Sequence, residues 1–140
     1  MVNSLVMTTS VDVFLACDKA IANGVLIQRP HARDKEFAFQ NWFADRLDDV
    51  GIAYEPSQRN TYPDFRLLEL AEGYEVKGLE TPGRDATYDS NSAVPSGYHR
   101  GRTVYYVFGR YPATTNAQYP VVDFVICHGD FLNAQRDYIH

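Results

Sequence analysis

The chain has 140 residues, a length that suits one domain with a single core over residues 1–140. Hydrophobic residues make up 45% and charged residues 22%, and no run of about 18 apolar residues occurs, so no membrane span is expected. The net charge of −5 argues against strong non-specific nucleic-acid binding, which runs on phosphate neutralisation, but leaves room for a local basic patch. The first twenty residues have no basic segment ahead of their apolar positions, so no signal peptide is expected and the chain reads as cytoplasmic. Cys17 and Cys127 lie far apart, without zinc-site spacing, and read as free thiols in a reducing compartment.

In chain order, residues 10–23 read as a first helix, with Ser10 as N-cap and Gly24 as stop, inside an N-terminal helical extension over about residues 1–30. Val11, Phe14 and Leu15 share one side of it. Val25 to Gln28 reads as a short extended piece, which Arg29-Pro30-His31 interrupts. Asp34 looks like the N-cap of a stronger helix, Lys35 to Val50, whose Phe39, Phe43, Leu47 and Val50 trace a core stripe. Glu36 lies on that stripe. An acid there either complements the helix dipole in the first turn or points into a site.

After Gly51, residues 52–55 read as a strand and 56–59 as a turn. Thr61 to Glu69 and Gly73 to Glu80 read as a hairpin. Residues 81–102 show no clean period and read as a long loop, a kind of segment that is often functional. Its Ser90, Asn91, Ser92, Tyr98, His99, Arg100 and Arg102 have donors and acceptors suited to phosphates and base edges. Arg102 to Tyr111 reads as a central strand, Val121 to Cys127 as a strand covered on both faces, and Phe131 to Ile139 as a short last helix. The four histidines, His31, His99, His128 and His140, have no pair at helical zinc spacing.

The chemistry concentrates in the hairpin, NTYPDFRLLELAEGYEVKG from Asn60. On a strand, residues two apart share a face, so Glu75 and Lys77 point together while Val76 turns away. Asp64, behind Pro63, can join them across the turn. Two carboxylates and an ammonium suit a hard divalent cation and a phosphate. The alternative is an ordinary exposed hairpin with a surface ion pair worth roughly 0–1 kcal/mol.

Pro63-Asp64 and Glu75-Val76-Lys77, with the acids eleven positions apart, resemble the PD-(D/E)xK nuclease superfamily. The resemblance implies an α/β fold, with a restriction-endonuclease-like mixed sheet flanked by helices. It implies a Mg²⁺-dependent DNA endonuclease, similar to type II restriction enzymes, that acts on double-stranded DNA as a homodimer. Asp64 and Glu75 would hold the metal, with the Val76 carbonyl and Glu36 adding ligands, and Lys77 would position the attacking water. Two other readings stay open: a structure-specific or repair nuclease, and a catalytically silent DNA- or protein-binding module.

Overall fold

In the computed structural model, which describes residues 9–30, 35–56, 61–81 and 96–133, the fold grows from two long strands. The strand β3 (Glu72–Thr81) and the strand β5 (Arg102–Pro112) run parallel, in register from Glu72↔Thr103 to Thr81↔Pro112. Both are rich in β-branched and aromatic residues, which pack well on a pleated, half-buried surface. β2 (Phe65–Arg66) lies antiparallel on the outer side of β3. β4 (Tyr98–His99) and β7 (Asp123–His128) share the other side of β5. β4 lies on its first two residues, and β7 runs antiparallel from Tyr105↔His128 to Arg110↔Asp123. The result is a mixed α/β arrangement with a five-stranded sheet. A separate two-stranded sheet joins β1 (Ile27–Gln28) to β6 (Gln118–Tyr119).

Two helices, α1 (Ser10–Ala22) and α2 (Lys35–Asp49), complete the described residues' regular structure apart from a 3₁₀ turn at Gly129–Asn133. α2 covers the sheet face that carries Tyr74, Val76, Gly78, Gly109 and Tyr111. Its Phe43 ring meets Tyr74 at 5.4 Å, and its Phe39 ring meets Tyr111 at 5.9 Å. Gly109 makes this approach possible: a Cβ there would stand 2.1 Å from Phe39 Cζ. By the pleat of the strands, Glu75, Lys77, Tyr106 and Phe108 face the opposite way.

α1 buries Val13, Cys17 and Ala20, not the Val11, Phe14 and Leu15 side. Both stripes have helical spacing, but the smaller residues let α1 sit close to its neighbours. Val11, Phe14 and Leu15 are exposed, although the Phe14 ring also lies against Phe124 with ring centroids 4.8 Å apart. The cap residue is Thr9, with Ser10 as the first helical residue. Thr9 donates to the buried Glu72 carboxylate from its backbone N–H (3.1 Å) and from its hydroxyl (2.7 Å). A carboxylate at a helix N-terminus also complements the helix dipole. α1 ends near the expected stop, with Gly24 at φ 74°. In α2, Phe39, Phe43 and Leu47 are buried as expected, but Val50 lies past the last turn and is exposed.

The strand expected at 52–55 shrinks to one bridge, Tyr54↔Leu67, flanked by the Glu55 N–H donating to Arg66 O (2.9 Å) and the Leu68 N–H donating to Ala53 O (3.1 Å). The strand expected at 121–127 starts at Asp123 and is not covered on both faces. Val125, opposite Phe108 on the face away from the helices, is half-exposed, while Ile126, opposite Val107 on the helix-covered face, packs against the core. Part of the expected 81–102 loop is regular: β4 turns into β5 through Arg100 (φ 49°) and Gly101 (φ 82°), the two left-handed residues of a type I′ hairpin turn. Both thiols are free; burial pushes Cys17 up to about 12. Asp34, His31, residues 82–95, which include Ser90, Asn91 and Ser92, and residues 134–140 lie outside the described residues. Among the described residues, no helix is long and apolar enough to cross a membrane.

Candidate active site

The register of β2 and β3 explains how the site forms. Phe65 faces Tyr74 and Arg66 faces Gly73, so the next alternate position brings Val76 opposite Pro63. The Leu67 N–H donates to Glu72 O at 3.0 Å, which makes 72, 74 and 76 the positions of β3 that bond toward β2. Pro63 has no N–H to give the Val76 carbonyl, so the ladder stops there. Asp64 takes over with its side chain: the Val76 N–H donates to Asp64 Oδ2 at 2.8 Å. In return the Asp64 N–H donates to Glu75 Oε1 at 3.0 Å. Lys77 Nζ sits 3.3 Å from the other oxygen, Glu75 Oε2. The N–H and C=O of a strand residue point to the same lateral side, so the Val76 carbonyl lies along the edge where Asp64 sits.

The three ionisable groups are largely withdrawn from water, with the Lys77 side chain 13% exposed and that of Glu75 8%. Burial, reinforced by the nearby Glu75 charge, pushes Asp64 up to about 7, against the opposing pull of the Val76 N–H and the Lys77 ammonium. Two acids pressed together in a poorly solvated place form an environment that a divalent cation relieves. The donor set also fits Mg²⁺, which binds through one or two carboxylates and keeps several waters.

The wall beside this cluster is aromatic. Tyr106, the register partner of Glu75, has its hydroxyl 2.8 Å from that of Tyr62. The His99 ring stands edge-on to the Tyr62 ring, with centroids 4.8 Å apart. Burial, together with the Glu75 and Asp64 charges, holds the Tyr106 phenol well above the usual tyrosine range.

Asp64, Glu75, Val76 and Lys77 are therefore together. Glu36 is not with them: it is exposed in the first turn of α2, which packs on the sheet face opposite Glu75. Among the described residues, no group of three or more His, Cys, Asp or Glu gathers around one point. His99 reaches the edge of the site through Tyr62, while Tyr98 and Arg100 are exposed on the β4–β5 hairpin. Arg102 has a structural task. It donates to Leu67 O (2.8 Å) and Glu72 O (3.2 Å), and pairs with Glu55 Oε2 at 3.0 Å. Tyr62 and Tyr106 were missed in sequence. Tyr106 lies there inside the expected central strand Arg102 to Tyr111 with nothing to single it out, and only the parallel register sets it beside Glu75.

Comparison with known proteins finds no matching protein-family model, no matching curated protein and no matching solved structure.

Proposed function

We propose that this chain is a Mg²⁺-dependent DNA endonuclease on a restriction-endonuclease-like version of its mixed α/β fold. One observation carries the reading. Asp64 and Glu75 converge from the two arms of one hairpin, with Lys77 on the second Glu75 oxygen. A purely structural hairpin has no need to withdraw two acids and an ammonium from water, since burying charge costs more than their pairing returns unless they are fully bonded.

Asp64, Glu75 and the Val76 carbonyl would hold the ion. When bound, it stabilises charge on a phosphodiester and lowers the pKa of a water. Lys77, on the same strand face as Glu75, orients the attacking water or balances charge that builds on the phosphate oxygens. The Val76 N–H fixes the Asp64 carboxylate, so the site is organised before substrate arrives. Double-stranded DNA approaches on the face away from the helices, which His99 shares on the adjoining hairpin, with Arg100 at the hairpin's exposed tip and Tyr98 exposed beside them. Ser90, Asn91 and Ser92 belong to the segment that leads into it. A type II restriction enzyme acting as a cytoplasmic homodimer is the form we favour. A structure-specific or repair nuclease shares the chemistry and differs in preferring branched or damaged DNA.

The second reading is a catalytically silent binding module. Glu75 favours it, because both its oxygens already have partners within the chain. Incubation with mixed plasmid DNA and Mg²⁺, followed by sequencing of the ends, separates the two. The nuclease reading expects Mg²⁺-dependent cuts that vanish in Asp64→Asn. DNA binding with neither cuts nor divalent-metal binding establishes the silent module instead.

A further inference from the structure

The Tyr62 and Tyr106 hydroxyls are 2.8 Å apart, and the Ser96 backbone N–H also faces the Tyr62 oxygen. Two phenols carry two protons, and their mutual hydrogen bond uses one. The other O–H remains available as a donor. If Tyr106 donates to Tyr62, the spare proton is on Tyr62; if Tyr62 donates, it is on Tyr106.

The position of the spare donor gives it a use. Tyr106 is in register with Glu75 on the adjacent strand, and neighbouring strands lie about 4.8 Å apart. Tyr62 is two residues before Asp64, so the pair flanks both acids. A neutral, buried O–H beside two acids is suited to receive an anion brought there by other groups. Its alignment is fixed by contacts that do not depend on substrate: His99 packs edge-on against Tyr62, and Phe108 stacks with Tyr106 at 6.0 Å. A donor held in place in this way needs no reorganisation when its acceptor arrives.

We propose that the Tyr62–Tyr106 pair is a phosphate-contacting element of the site, donating its spare O–H to a non-bridging oxygen of the phosphodiester held at Asp64 and Glu75. The inference rests on the nuclease reading and extends it to two residues outside the motif. It also assigns His99 as a positioning residue that acts through the Tyr62 ring.

The test uses the full chain and the variants Tyr62→Phe, Tyr106→Phe and the double variant, each of which removes oxygen and keeps the ring. Three quantities are read: single-turnover cleavage with Mg²⁺, Mg²⁺ affinity, and the preference in EDTA for a short duplex over the same duplex bearing methylphosphonates. Losing one hydrogen bond to a charged oxygen should lower turnover by about tenfold to a hundredfold and narrow the phosphate preference, with Mg²⁺ affinity unchanged. Tyr62→Phe removes the less buried hydroxyl and should cost the most; Tyr106→Phe keeps the Tyr62 O–H and removes only the partner that orients it, so it should cost less, and the double variant should cost no less than Tyr62→Phe. All readings are taken at a temperature where melting curves show each variant folded. Tyr62→Phe, at the less buried position, carries the test if Tyr106→Phe does not fold. If the parent cleaves but both single variants match it in turnover and phosphate preference, the inference falls and the nuclease reading stands. If the parent neither binds Mg²⁺ nor cleaves, both fall together.

Discussion

Asp64 Oδ2 accepts the Val76 N–H at 2.8 Å, in the place where a backbone ladder through Pro63 would otherwise have continued. A side chain has replaced a main-chain partner, and the exchange delivers a carboxylate to the edge of β3 next to Glu75. Asp64→Asn keeps an oxygen for Val76 but loses the charge. We expect Mg²⁺-dependent cleavage to disappear in Asp64→Asn and in Glu75→Gln, with circular dichroism and cooperative melting retained. Near-parental cutting by either variant would sink the metal-site assignment.

The Asp64 carboxyl gives metal-free protein a particular pH dependence. Its pKa rises from 3.8 in the unfolded chain to about 7 in the fold, so between those values the native state binds the extra proton. Stability from this group is therefore fully present below about pH 4 and is lost as pH climbs through about 7. The penalty at pH 8 is on the order of a few kcal/mol. Asp64→Asn does not carry it. In EDTA the variant should melt higher than the parent at pH 8, and the difference should shrink toward pH 4. A difference that does not change with pH would show that Asp64 does not titrate in this window.

Lys77 shares a face and an oxygen with Glu75, which places it to act on charge that develops during reaction. Lys77→Ala should lower single-turnover rates by at least tenfold and change DNA affinity far less, the pattern of a contact made mainly in the transition state. Loss of affinity with an unchanged rate would make Lys77 an ordinary phosphate anchor.

Two neighbouring arginines should behave differently. Arg102 ties the turn carbonyls of Leu67 and Glu72 to Glu55, so Arg102→Ala should cost about 1–3 kcal/mol in denaturant unfolding. Arg100 is exposed at the hairpin tip, so Arg100→Ala should leave stability within about 0.5 kcal/mol. On the nuclease reading, Arg100→Ala weakens duplex binding and reduces its salt slope. Equal stability of the two variants would contradict the structural role of Arg102.

Gly109 lies under the Phe39 ring, where a methyl group would overlap Cζ. Gly109→Ala forces α2 outward or Phe39 off its rotamer, which costs typically 1–3 kcal/mol in a packed core. Chemical denaturation reads this directly. An unchanged midpoint would mean that α2 does not rest on the sheet at this position.

The elements with strong periodicity were legible in sequence: α2 with Phe39, Phe43 and Leu47, and β5 as the central strand. So was the meeting of Asp64, Glu75 and Lys77, because a period of two on β3 and a turn around Leu70 to Gly73 suffice to bring them together, although the turn itself falls earlier, between Arg66 and Glu72. Three features were hidden for physical reasons. α1 offers two apolar stripes, and only tertiary packing selects Val13 and Cys17 over Val11 and Leu15. The Arg100-Gly101 turn lacks the Asn or Asp that usually marks its type, so only the backbone reveals it. The parallel register of β3 and β5 cannot be read from either strand alone, and it sets Tyr106 beside Glu75.

The pleat of β3 puts folding and chemistry under separate control. Tyr74, Val76 and Gly78 answer to α2, whereas Glu75 and Lys77 answer to whatever arrives from the other side. Drift at the second pair can therefore erase an activity while the scaffold persists. On the nuclease reading, a lineage built on this strand passes from enzyme to silent binder by exchanging both members of the buried pair together, since losing one alone leaves its partner's charge unpaired.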